Sequence, residues 1–176
     1  MSSPGRSPVP GSAPLCPTAG PPWLAPLVDN ADSVPAAYRR CVPPELLTVL
    51  SDARRQARAA RSDRDAAVLV LFSGPHVEHQ PGAVPDDADL LLTVRASTLR
   101  HNGGQAAFPG GAADPVDAGP VATALREARE ETGVDVERLQ PLVTLERMFI
   151  PPSGFHVVPV LAYSPDPGPV AVVDSS

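Results

Sequence analysis

One well-delimited helical stretch, flanked on both sides by apolar runs, most constrains how this chain of 176 residues can fold. Gly119 and Pro120 suit the N-cap and first position of a helix, and Gly133 suits its C-cap. The flanking runs predict strands: DAAVLVLF (65–72), LLLTVRAS (90–97) and QAAF (105–108) before the helix, LVTLERMFI (142–150) and FHVVPVLAYS (155–164) after it. Strands around one helix predict an α+β domain, an α/β/α sandwich built on a mixed sheet.

Composition divides the chain into three parts. Residues 1–35 are rich in Pro, Ser and Gly and are predicted to be a disordered tail, because burial of so few apolar side chains does not offset the ordering entropy. Residues 36–61 are predicted to be a helical segment with a narrow apolar stripe that includes Leu46, Leu47 and Leu50. Residues 62–176 are predicted to form the compact domain, with a loop without regular structure at PGGAADPVDAGP (109–120).

Charge and hydropathy exclude several classes of protein. The net charge of −6 and the lack of a basic stripe argue against a nucleic-acid binder. No apolar run approaches the roughly 18 residues that span a bilayer, so no membrane association is predicted. Cys16 and Cys41 form no CxxC pair, and the N-terminus lacks a secretory signal pattern. The sequence therefore predicts a cytoplasmic protein.

The helical stretch contains ALREAREETGV, Ala124–Val134, in which several acidic side chains share one face. Glu127, Glu130 and Glu131 stand at i, i+3 and i+4, so their carboxylates converge on one side of a helix. Such a run is usually a solvated face, and that alternative stays open on the helix alone. The upstream FPGG, Phe108–Gly111, favours a metal site instead, because glycines let the backbone approach a ligand closely and a loop carbonyl can join carboxylates around Mg²⁺.

These residues resemble the Nudix box. Its second half is Arg-Glu-x-x-Glu-Glu-x-Gly followed by an apolar residue, and it is matched position by position by Arg126, Glu127, Glu130, Glu131, Gly133 and Val134. Gly111 lies one residue further upstream than is usual, and the spaced acid of the box is absent at Ala118. Asp117 is the neighbouring candidate for that acid, whose task in the family is to anchor the arginine.

A longer stretch resembles the coenzyme A pyrophosphatase branch of that family. Thr93, Arg95, Leu99, Arg100, Gly104, Gln105 and Phe108–Gly111 match its pattern ahead of the box. The branch histidine does not match, because Asn102 takes its place with His101 beside it.

The resemblance implies a Nudix fold and a reaction: water attacks the pyrophosphate of coenzyme A or an acyl-CoA, giving adenosine 3′,5′-bisphosphate and 4′-phosphopantetheine. It implies Mg²⁺ or Mn²⁺ bound by Glu127, Glu130, Glu131 and Gly111, with Glu130, Glu131 and Arg126 as catalytic residues. The resemblance does not decide which of Glu130 and Glu131 is a metal ligand and which is the catalytic base. Implied substrate-binding residues are Arg95, Arg100, Gln105, Phe108 and Gly110. Two alternatives stay open: a Nudix hydrolase of another nucleoside diphosphate derivative, and a non-catalytic Nudix-like binding module.

The last apolar run, VAVV (170–173), ends where Nudix domains usually continue with another strand and a helix. The resemblance therefore predicts a domain incomplete at its C-terminus, less stable and less active than a longer relative. An open apolar sheet edge favours pairing with a second chain, so a homodimer is a predicted partner state alongside a small-molecule substrate.

Overall fold

The computed structural model describes residues 13–59, 64–77, 83–95, 104–150, 153–171 and 173. The helices are α1 (Ala25–Asp29), α2 (Val34–Cys41), α3 (Pro44–Ala59) and α4 (Pro120–Thr132). The strands are β1 (Arg64–Ser73), β2 (Asp89–Leu90), β3 (Thr93–Val94), β4 (Ala106–Ala107), β5 (Gly110–Ala112), β6 (Gln140–Thr144), β7 (Met148–Ile150) and β8 (Phe155–Ser164).

A mixed sheet forms the centre of the fold. Strands β1 and β8 run parallel and pair along their whole lengths, from Arg64 opposite Phe155 to Ser73 opposite Ser164. β2 and β5 pair antiparallel with β1, whereas β6 and β7 pair antiparallel with β8. β3 and β4 form a separate two-stranded pair. The predicted mixed-sheet α+β architecture is therefore confirmed.

Three local predictions need correction. The runs 90–97 and 142–150 do not form single strands, since each includes two short strands separated by irregular backbone. Within the described residues of VAVV there is no strand. The Gly-rich loop includes β5, because Gly110–Ala112 pairs with Ala66–Val68 of β1, and glycine at 110 permits this close approach.

Helix α4 covers one face of the sheet. Alternate residues of β1 and β8 point to this face, as the period of a strand requires, and pack against the alanines of α4. The buried cluster consists of Ala67, Leu69, Leu71, Ala124, Ala128, Val134, Leu139, Val160 and Ala162. Because small alanines lie at the contact, α4 approaches the sheet closely and its opposite side faces outward.

The other face of the sheet is covered by residues that precede the sheet in the chain. The predicted disordered tail over 1–35 is wrong for residues 13–35, since short helices here bury Trp23, Leu24 and Val28 against Leu161 and Tyr163 of β8. The Trp23 Nε1–H also donates to the Pro75 carbonyl at 3.0 Å. One large aromatic ring together with a few aliphatic side chains supplies enough apolar burial to order a proline-rich segment. Residues 1–12 lie outside the described part.

The predicted helical segment over 36–61 corresponds to α2, which begins at Val34, and α3, which ends at Ala59; residues 60 and 61 lie outside the described part. Leu46 on the predicted apolar stripe is exposed, as is its neighbour Val49. No helix in the described part of the chain is both long and apolar enough to cross a bilayer.

Candidate active site

Helix α4 is fixed at both ends so that its acidic side faces outward. Gly119 is its N-cap and Pro120 its first residue, as predicted. Gly133 adopts the left-handed conformation with φ 66°, and its N–H donates to the Arg129 carbonyl at 2.9 Å. A side chain at position 133 would be strained in this conformation, so glycine terminates the helix immediately after Glu131 and Thr132.

Glu127 lies directly against the backbone of β5. A side-chain carbon added at Gly111 would lie 2.5 to 2.7 Å from the Glu127 carboxylate. Only glycine therefore leaves room for this carboxylate, which is the physical reason for the second glycine of FPGG. Strand β5 and helix α4 meet at this point, so Gly111 and Glu127 are brought together as predicted.

Arg126 holds a network of carboxylates around the start of the acidic face. Its Nε and Nη2 donate to the two oxygens of Asp117 at 3.1 and 3.0 Å. Its Nη1 donates to Glu127 at 2.9 Å and to Glu130 at 3.2 Å, and Nη2 also donates to the Ala112 carbonyl. Asp117 therefore anchors the arginine, as interpreted from the one-residue offset in the sequence.

Asp117 is itself positioned by donors from two directions. The Asp114 N–H and the hydroxyl of buried Thr123 both donate to Asp117 Oδ2 at 2.9 Å. The hydrogen bonds from Arg126 are the largest influence on this carboxyl, and they lower its pKa from 3.8 to about 2 although partial burial acts in the opposite direction. The same bonds raise the pKa of Arg126, so both groups are charged at neutral pH.

Glu131 lies in a different environment from Glu130. Its Oε2 accepts from the Gly110 N–H at 3.4 Å, and burial raises the pKa of its carboxyl above the ordinary value. The nearby charge of Glu127 also raises this pKa, whereas the Gly110 N–H and Arg95 lower it. The side chain of Glu130, by contrast, is 56% exposed. The sequence does not distinguish the roles of Glu130 and Glu131, but in the structure the two carboxylates differ in burial and in hydrogen-bond partner.

A cleft of about 860 Å³ opens beside these carboxylates. Several residues predicted to act at the site line it: Arg95, Phe108, Gly110, Glu127, Glu130 and Glu131. Phe108 is exposed at its wall. Gln105 is exposed and does not line the cleft; its carbonyl accepts from the Arg95 N–H at 3.0 Å across the β3–β4 pair. Arg100 lies outside the described residues.

Sequence reasoning missed part of the cleft wall. Val170, Ala171 and Val173, from the run interpreted as the beginning of an unfinished element, line the cleft. The N–H groups of Ala171 and Val173 donate to the carbonyls of Thr132 and Glu131 at 3.0 and 3.3 Å. The only signal in the sequence was an apolar run after a Pro-Gly turn, which does not indicate a contact with the end of α4.

The described residues contain no group of three or more His, Cys, Asp or Glu side chains placed to hold a metal ion. In this arrangement Arg126 Nη1 donates to both Glu127 and Glu130, whereas Glu131 accepts from the Gly110 N–H. The donor chemistry nevertheless fits a hard divalent cation. Glu127 and Glu131 both lie against β5, and carboxylate and backbone oxygens are the ligands that such ions take.

The mixed sheet, the acidic helix and the glycine-rich strand against it are the parts of a Nudix domain. A family model for the NUDIX domain matches residues 81–168, half of the chain. The chain therefore belongs to the NUDIX domain family.

Curated relatives and solved structures give further similarities. The "Uncharacterized Nudix hydrolase NudL" of Cronobacter sakazakii is 42% identical over 116 residues, which cover 63% of this chain and 52% of that protein. NudL of Pectobacterium atrosepticum is 44% identical over 108 residues, with coverages of 59% and 48%. The chain thus spans about half the length of these relatives. RenU, a Nudix hydrolase from M. smegmatis, superposes with a TM-score of 0.47 and 26% identity, covering 64% of this chain and 67% of that one.

Proposed function

We propose that the chain hydrolyses the pyrophosphate of coenzyme A or an acyl-CoA to adenosine 3′,5′-bisphosphate and 4′-phosphopantetheine. The observation that carries this proposal is a single cleft that combines the Glu127, Glu130 and Glu131 carboxylates with Arg95 and apolar walls. A substrate for such a cleft has a diphosphate next to groups of low polarity. The resemblance of residues 90–111 to the coenzyme A branch supports the same substrate.

The reaction needs a water oxygen to bond to phosphorus while the bridging oxygen of the anhydride leaves, and a carboxylate to accept the proton of that water. Glu131 is the stronger candidate for this acceptor. Its carboxylate is half-buried beside the Gly110 N–H, whereas that of Glu130 is largely exposed and bonded to Arg126. Arg126 is proposed to act by positioning Glu127 and Glu130, because all its bonded partners are protein oxygens.

The same carboxylates are proposed to hold Mg²⁺ or Mn²⁺. Glu127 and Glu130, together with the Gly111 carbonyl, would bind the ion when Glu131 accepts the proton, and Glu131 would be a ligand in the alternative in which Glu130 accepts it. The bound ion neutralises phosphate charge and polarises the phosphorus. Arg95 is proposed to bind a phosphate oxygen, since a guanidinium matches phosphate geometry with two donors. Phe108, exposed at the cleft wall, is proposed to stack on the adenine.

The test is product analysis of purified protein with Mg²⁺ or Mn²⁺, offering coenzyme A beside ADP-ribose and deoxynucleoside triphosphates. Glu131→Gln is the variant, and Glu137→Gln, an exposed glutamate in another element, is its matched control. We expect adenosine 3′,5′-bisphosphate from the parent and the control but not from Glu131→Gln. Cleavage of only another substrate would refute the coenzyme A proposal and keep the hydrolase, and no cleavage of any substrate would indicate a binding module.

A cytoplasmic location and a homodimer belong to the same proposal. Met148 and Ile150 support the dimer, because they leave exposed apolar side chains on β7, which pairs with β8 alone within the described sheet. The molar mass of the protein, measured by light scattering as it elutes from a size-exclusion column, tests the dimer. A monomer mass at all concentrations assayed would refute it.

A further inference from the structure

The cleft has one wall that the proposed chemistry does not use. This surface, which we call the valine wall, consists of the described residues Val170, Ala171 and Val173. Val170 and Val173 are 45% and 44% exposed, so both present apolar surface to solvent beside the carboxylates. Apolar side chains that line a cleft together with a few polar groups are typical of a small-molecule binding site.

The valine wall offers a ligand carbon surface and little else. The N–H groups of Ala171 and Val173 already donate to the last carbonyls of α4, and all three side chains are aliphatic. In its described part, this wall therefore brings neither a charged group nor an aromatic face to the cleft. By contrast, Arg95 and Phe108 come from the segments of the β3–β4 pair, a separate element of the cleft.

The two ends of the proposed substrate differ in the same way. The adenosine bisphosphate end is aromatic and polyanionic, and it needs cationic and stacking partners such as Arg95 and Phe108. The pantetheine end is uncharged and includes a geminal dimethyl group and short methylene chains, which gain from contact with aliphatic side chains.

We propose that Val170 and Val173 are specificity-determining residues that bind the pantetheine arm of the substrate. This inference rests on the proposed function. The wall is bonded to the carbonyls of Glu131 and Thr132, so an arm packed on it carries the adjoining diphosphate next to the Glu131 carboxylate. The contact thus selects the substrate through its pantetheine arm, which lies outside the bond that is hydrolysed.

The test uses Val170→Thr/Val173→Thr, which keeps the shape of both side chains and replaces two methyl groups with hydroxyls. Val77→Thr is the matched control, because Val77 is 43% exposed and does not line the cleft. Steady-state kinetics with coenzyme A are measured for all three proteins. Calorimetry of metal-loaded protein then measures binding of each product separately, 4′-phosphopantetheine and adenosine 3′,5′-bisphosphate.

For the double variant we expect KM for coenzyme A and Kd for 4′-phosphopantetheine to rise roughly tenfold, which is the scale of small changes in apolar contact. We expect kcat and Kd for adenosine 3′,5′-bisphosphate to change less than about twofold, and Val77→Thr to match the parent. A double variant with unchanged KM, or weaker binding of adenosine 3′,5′-bisphosphate alone, overturns the inference.

The binding measurement also separates this inference from the proposed function. If the parent does not cleave coenzyme A but binds 4′-phosphopantetheine, and the double variant does not bind it, then the hydrolase proposal fails and the valine wall stands as a pantetheine-binding surface. If the parent cleaves coenzyme A and the double variant does so with the same constants, the function stands and the inference fails. A parent that binds no 4′-phosphopantetheine refutes the inference in either case.

Discussion

Replacement of Asp117 by Asn tests whether the anchored arginine stabilises the domain. Asp117 accepts two hydrogen bonds from Arg126, one from the Asp114 N–H and one from Thr123. Asparagine keeps the size of the side chain but removes the negative charge and turns one acceptor into a donor. We expect the variant to be less stable at neutral pH, because Arg126 then loses the negative charge and one of the two acceptor oxygens of its main partner.

The magnitude follows from the pKa of the carboxyl. Its fall from 3.8 to about 2 corresponds to roughly 2.5 kcal/mol, at about 1.4 kcal/mol for each pH unit. The Arg126 side chain is 24% exposed, so water screens the pair and we expect a loss of about 1–2 kcal/mol. Because the folded-state pKa is depressed, this stability is present above about pH 4 and is lost as the pH falls toward 2.

The assay is urea unfolding of parent and Asp117→Asn at several pH values from 7 down to 3. We expect the difference in the free energy of unfolding to be largest at pH 7 and to shrink steadily below pH 4. Asp52→Asn is the control, because Asp52 pairs with Arg55 at an exposed position of α3 and should cost less than about 0.5 kcal/mol. Extrapolated free energies of unfolding carry an error of roughly ±10%. Two results would refute this reasoning: a difference between parent and Asp117→Asn below about 0.5 kcal/mol at pH 7, or a difference that stays constant down to pH 3.

Three further perturbations test other parts of the structure. Gly111→Ala should lower kcat at least about tenfold and destabilise the folded domain by about 1–3 kcal/mol, because the added methyl group displaces Glu127. Turnover and thermal unfolding measure these two effects, and unchanged turnover would contradict the packing of Gly111 against Glu127. Glu131→Gln should raise the melting temperature of metal-free protein at pH 7 by a few degrees, at about 2–4 °C per kcal/mol, because burial disfavours the charged carboxylate. The gain in melting temperature should vanish below pH 4, and equal melting temperatures of parent and variant at pH 7 would count against this expectation. Trp23→Ala should lower the free energy of unfolding in urea by about 3–5 kcal/mol. Trp23→Phe, which keeps a ring but loses the donor to Pro75, should lower it by about 1–2 kcal/mol. Similar small losses for both variants would show that the ring is not part of the core.

Local signals were sufficient to predict much of the fold. The Gly-Pro start and the glycine stop of α4 depend only on backbone geometry near those residues, and β1 and β8 are long apolar runs. The cover formed by residues 13–33 was not predicted, because composition averages over a proline-rich segment and conceals one tryptophan that packs against strands more than a hundred residues away. Short strands such as β5 depend on pairing with β1 rather than on their own sequence.

For the candidate site, the helix positions were predictable and the partners less so. The spacing of Glu127, Glu130 and Glu131 places them on one side of α4, but it does not show that Arg126 bonds two of them while Glu131 turns to Gly110. The contribution of Val170 and Val173 depends on how the chain returns to the end of α4, a tertiary contact with no local signature.

The segment that covers the second face of the sheet has a consequence for the order of folding. Trp23 packs against the rings of both Phe72 and Tyr163, and it is synthesised 140 residues before Tyr163, a delay of roughly 7–28 s at ordinary rates of translation. Phe72 and Pro75 are available to Trp23 earlier, but the contacts with β8 form only after that strand has emerged, so the cover is completed in a late, long-range step. Because Trp23 is the only tryptophan of the chain, its fluorescence reports that closing step directly during refolding.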